Sequence, residues 1–109
     1  MTLRDELPGD AWEALLARFR AGLAESKVPD HLREGLVLYI AHGILPGGFM
    51  QAVLANNLRE AMRRGSYGGI VALPALVDFL TWHLPAEAWG SVARVLAWTT
   101  TPERLEIEP

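Results

Sequence analysis

Apolar positions along this chain recur at helical spacing between proline and glycine breaks, and no strand-like alternation persists. Trp12, Leu15, Leu16, Phe19 and Leu23 fall on one face of a first helix. Asp10 and Glu13 have capping-box spacing, so this helix is expected to start at Asp10 and to end at Lys27 to Pro29. Leu32, Leu36, Tyr39 and Ile40 share a face of a second helix, capped by Asp30 and closed at Gly43 in a left-handed turn. Met50, Val53, Leu54, Leu58 and Ala61 line one side of a third, expected from Gly48 to Gly65. "SYGG" reads as a loop. A fourth helix is expected over 71–84, with Pro74 tolerated in its first turn. Ser91 can cap a last helix over 92–99. The expected fold is all-α, a compact bundle of about four to five short helices. Residues 1–100 form one domain, with 1–29 as an N-terminal helical extension, 30–100 as the core, and 101–109 as a loosely attached acidic tail.

Composition narrows the class. The chain has 109 residues, half of them hydrophobic, enough for one modest core. It has no cysteine, so no disulfide framework or thiolate metal site is expected. No apolar run approaches the roughly 20 residues of a membrane span, and "MTLRDELPGD" lacks the form of a secretion signal. A cytoplasmic protein is expected. The net charge of −3 and the absence of a broad basic face argue against nucleic acid as a partner. Acidic residues collect at the two ends, and a small basic cluster of Arg59, Arg63 and Arg64 lies in the middle.

That cluster and the turn before it hold the candidate chemistry. Gly47 and Gly48 serve either a tight turn or an anion at a helix start. Helical period places Asn57 inward, as a buried amide tying down a neighbouring loop or as a reader of a ligand's polar edge. It places Asn56 outward beside Arg59 and Arg63, which stand one turn apart and can share one phosphate-sized group. Tyr39 points inward, to pack in the core or to stack on a base. His31, His42 and His83 lack zinc-ligand spacing, and His83 reads as a core residue. No nucleophile motif or isolated carboxylate pair is present, so an enzyme is not expected, and neither is a cofactor or metal. Trp82 and Trp98 fall off the core stripes and suggest an oligomer or partner surface, unless the first helix folds back over them.

The run Tyr39-x-x-His42-Gly43-x-x-Pro46-Gly47-Gly48-Phe49-x-x-Ala52-Val53-Leu54-x-Asn56-Asn57-Leu58-x-x-Ala61, followed by "LVDFLTWHLP" and "WGSVARVLAW", resembles a family of small phage and prophage proteins over roughly residues 32–98. That family is similar to the helical phage sponges of the anti-CBASS type. These are oligomers of short helices that bury cyclic di- or trinucleotide immune signals between subunits without cleaving them. The resemblance implies a phage anti-defence protein in the cytoplasm of the infected host cell, a homo-oligomer binding a cyclic nucleotide through Tyr39, Gly47, Gly48, Asn56, Asn57, Arg59 and Arg63. The sequence departs from the family at Asn57, where aspartate is usual, at Pro74, and in the added residues 1–29. The alternative is a small helical adaptor or inhibitor that binds a host or phage protein through Trp82 and Trp98.

Overall fold

Asn56 stands at φ 60°, in the left-handed region, and the long helix expected over 48–65 is two helices. The computed structural model describes residues 3–107, and these are all-helical: α1 (Leu3–Glu6), α2 (Gly9–Glu25), α3 (Asp30–His42), α4 (Gly48–Leu54), α5 (Leu58–Arg64), α6 (Tyr67–Val71), α7 (Leu73–His83) and α8 (Val92–Trp98). Short 3-10 turns occupy Ala86–Ala88 and Pro102–Arg104. The class is as expected, and the helices are more numerous and shorter.

The adjacent asparagines divide the labour at the break. The Asn57 amide donates to the Ala52 carbonyl (2.8 Å) and the Asn56 amide to the Val53 carbonyl (3.0 Å), the pair of bonds of a Schellman ending with Asn56 as its left-handed residue. The Asn57 side chain then accepts from the Glu60 amide at 3.1 Å and caps α5. So Asn57 ties down no distant loop. The phase also shifts: Ala61 is buried, but Leu58, expected on the inner stripe, is exposed. Asn57→Ala is expected to cost about 1 kcal/mol through the lost cap. Asn56→Val should cost about 1–2 kcal/mol because a β-branched residue resists positive φ, whereas Asn56→Gly should hold or raise stability. Urea unfolding checks all three; equal losses for Gly and Val at position 56 would contradict the left-handed assignment.

Elsewhere the helix ends correct the expected boundaries. Among the described residues Asp10 makes no capping box: Pro8 precedes α2, and the Asp10 carboxylate accepts from the Ala11 amide. Asp30 is the first helical residue of α3, with Pro29 at the cap. The "SYGG" stretch is helical from Tyr67, because the Ser66 hydroxyl accepts from the Gly69 amide and starts α6. Pro74 sits in the first turn of α7, and Ser91 caps α8, both as expected. Gly43 ends α3 at φ 66°.

α4 carries the architecture. Each residue from Met50 to Leu54 is buried, as befits a helix apolar nearly all round. α5 and α8 pack on it, and Phe49 at its start lies under Gly65 and Gly69: a Cβ on Gly65 would collide with the ring at 2.8 Å, and one on Gly69 would press on it at 3.1 Å. α2 meets α7 through an edge-on Phe19–Phe79 pair at 5.3 Å. His83 is exposed rather than in the core, its ring stacked on Phe79 (4.9 Å) and held close over Gly22.

The chain after α8 is pinned through residue 107, contrary to the loose attachment expected of 101–109, the last two of which lie outside the described residues. The Thr99 hydroxyl and the Thr100 amide both donate to the Gly43 carbonyl at 2.7 Å. The Leu45 amide donates to the Thr101 hydroxyl (2.9 Å), and Ile107 is buried. The threonines thus satisfy carbonyls left over at the end of α3. The radius of gyration, 13.1 Å, is what about 100 compactly folded residues require. Among the described residues no helix is long and apolar enough to cross a membrane.

Candidate functional site: a polar cleft and an apolar groove

Three of the seven candidate ligand residues meet in one place. Asn57, Arg59 and Arg63 line a polar cleft of about 480 Å³ together with Glu60, Arg64 and Glu106. α5 supplies Arg59, Glu60, Arg63 and Arg64 and its cap supplies Asn57, while the pinned tail supplies Glu106. Glu60 organises the arginines: one oxygen accepts from Arg63 at 2.7 Å and the other from Arg64 at 2.9 Å. The Arg64 bond first, and the Arg63 bond second, hold the Glu60 carboxyl below the usual carboxylate range. Arg64 also donates to the Glu106 carbonyl at 3.1 Å. Arg63 and Arg64 therefore share one carboxylate, while no ion pair among the described residues engages Arg59. The cleft presents donors and a surplus of positive charge, in an open, solvent-screened setting.

Gly48 lies against the wall of this cleft. A Cβ there would come within 2.7 Å of the Arg64 guanidinium and 3.1 Å of the Glu106 carboxylate. Its glycine admits a neighbouring side chain of this chain itself. Gly47 has ordinary φ (−66°) and open space around it. Both glycines line a separate, mainly apolar groove of about 450 Å³ between α3 and the 44–50 segment, with His31 and Arg104 in its lining.

The other candidates lie apart. Asn56 is exposed and serves the chain reversal, and the break takes it out of line with Arg59 and Arg63. Tyr39 is fully buried, its hydroxyl donating to the Ala88 carbonyl at 2.6 Å, so it is a core residue and presents no face for stacking. Burial pushes its phenol well above the ordinary tyrosine range, with the Arg4 charge pulling the other way. An aspartate at position 57 would cap α5 as asparagine does, so that departure from the resembled pattern conserves the local structure.

The two tryptophans part company. Trp82 is 76% exposed on α7, off the core stripe. Trp98 is fully buried and forms no partner surface. Its indole N–H donates to the Tyr39 carbonyl at 3.0 Å. The N-terminal segment covers it: Trp12 approaches at 6.3 Å between ring centroids, and the Arg4 guanidinium sits 5.1 Å from the indole centroid. Arg4 also donates to the Trp98 carbonyl at 2.8 Å.

Gln51 is the polar residue that sequence reasoning missed. Fully buried, it donates from one amide nitrogen to the Pro46 carbonyl (2.8 Å) and the Arg104 carbonyl (2.9 Å), and accepts from the Glu106 amide (2.8 Å). One side chain thus joins the Gly47–Gly48 turn to the tail, the work expected of Asn57. A single amide within "GFMQAVL" was the available signal.

Comparison with protein-family models, with curated proteins and with solved structures returns no match.

Proposed function

We propose that this chain is a small, non-catalytic helical interaction module that works through its α6–α7 face, and that a second copy of the chain is its partner. Trp82, 76% exposed beside a groove with mixed charges, is the observation that carries this reading. Ala72 keeps right-handed helical dihedrals between α6 and α7, so Val71, Ala75, Asp78 and Trp82 recur along one outward stripe. Tyr67, 85% exposed, stands one turn before Val71. Val71, Ala72, Pro74, Ala75 and Asp78 form one wall of the groove, which holds about 700 Å³; Glu25 and Lys27 stand in its lining. A twofold pairing would set the Lys27 of each copy against the carboxylates of the other and cover both indoles. Sedimentation equilibrium tests this. The wild-type chain should associate in the micromolar range, and Trp82→Ala should weaken association by about tenfold or more, while thermal unfolding at concentrations where both chains are monomeric stays unchanged. A wild-type monomer throughout that range would overturn self-association.

The cleft favours a second reading: capture of a cyclic di- or trinucleotide without cleavage, as a phage anti-defence protein in the cytoplasm of the infected host cell. Asn57, Arg59, Arg63 and Arg64 together support it, since phosphates take paired guanidiniums. A base platform would have to come from outside the cleft, for Tyr39 is enclosed. Calorimetry against a panel of cyclic di- and trinucleotides tests it. Tight binding, intact ligand on recovery and a loss in Arg59→Ala support the reading; no binding by any member sinks it.

A further inference from the structure

We propose that the groove between α3 and the 44–50 segment binds a small apolar molecule carrying one negative charge, the charge held by Arg104. The groove holds about 450 Å³, within the range of small-molecule sites. Leu32, Leu38, Ile44, Phe49 and Met50 provide an apolar lining, and Gly35 leaves the facing surface of α3 bare. A Cβ on Gly35 would point at Pro46 across an ordinary contact distance of 3.5 Å, so longer side chains there would grow into the groove.

Arg104 supplies the charge complementarity. Its backbone is fixed twice: its carbonyl accepts from Gln51 at 2.9 Å, and its amide donates to the Thr101 carbonyl at 3.0 Å. Its side chain is exposed, and no ion pair among the described residues engages it. A pinned backbone with an unpaired guanidinium beside apolar walls selects an apolar body with an anionic head. The groove lies outside the stripe that carries Trp82, so this site does not depend on self-association.

The probes are decanoate, decanol and decylammonium, titrated into the full chain by calorimetry below their aggregation limits. Decanoate should saturate a single site and bind more tightly than decanol, with decylammonium weakest. Arg104→Gln should weaken decanoate about tenfold, a loss of about 1.4 kcal/mol, and leave decanol unchanged. Gly35→Leu should remove binding of both, with circular dichroism showing that it folds; if it does not fold, the Arg104→Gln comparison decides alone. Absence of saturable decanoate binding overturns the proposal, as does equal affinity for decanoate and decanol, or an Arg104→Gln variant that binds decanoate like the wild type.

Discussion

Trp98→Ala is expected to lower stability by about 3–5 kcal/mol, the cost of emptying a fully buried aromatic site. Three contributions add. The removed indole leaves a cavity in the core cluster, the indole hydrogen bond to the Tyr39 carbonyl is lost, and Arg4 and Trp12 lose the surface they cover. The Tyr39 carbonyl keeps its bond from the Gly43 amide, so the cavity dominates and the lost hydrogen bond is secondary. A domain of this size is stable by only about 5–15 kcal/mol, so the variant should be marginal. Its melting temperature should fall by roughly 15–30 °C. Trp82→Ala, the same exchange at an exposed position, should stay within about 0.5 kcal/mol for the monomer. Thermal and urea unfolding of the two variants side by side checks the contrast. Similar losses at 82 and 98 would contradict the burial that separates them.

The same pair shows what was legible in the sequence. Signals carried by neighbouring residues read well. Gly43 in its left-handed turn, Ser91 as the cap of α8 and Pro74 in a first turn all follow from local chemistry. The proximity of Arg59 and Arg63 was also legible, because one short helix carries both, whereas Asn57, expected on the opposite face, joins them only because the chain breaks at Asn56 and makes Asn57 the cap of α5. Local signals failed where an unusual residue did a common task. Asparagine took the place glycine usually holds in a Schellman ending, so the apolar period ran unbroken from Met50 to Ala61 and masked the break. Two glycines in "SYGG" suggested a loop, although the serine before them starts a helix. Contacts distant in sequence were invisible. Arg4 is 94 residues from the Trp98 carbonyl it reaches, and Glu106 is 55 from the amide that holds it. Periodicity reports which face of a helix is apolar and says nothing of which distant segment covers it.

Gln51 combines both failures, and its substitution should have the second large effect. Three backbone groups depend on its amide: the carbonyls of Pro46 and Arg104 and the N–H of Glu106. Each group left unpaired while buried costs about 1–3 kcal/mol. The tail can peel away and let water reach Arg104 and Glu106, which limits the loss, so Gln51→Ala should cost about 2–4 kcal/mol in all. Gln51→Glu should do no better. Its carboxylate can still accept from the Glu106 amide, but it has no donor for the two carbonyls and would place a buried charge against them. The more telling readout is local. In the wild type the Glu106 amide should exchange slowly with solvent, and trypsin should cut slowly after Arg104, whose backbone is held on both sides. In Gln51→Ala both should accelerate at temperatures well below global unfolding, because the tail is released first. Global destabilisation without early release of Glu106 would mean that the Thr99–Thr101 contacts and the burial of Ile107 secure the tail unaided. Early release would show that one buried amide holds together the turn at Pro46, the guanidinium at Arg104 and the carboxylate at Glu106, and with them the facing walls of the groove and the cleft.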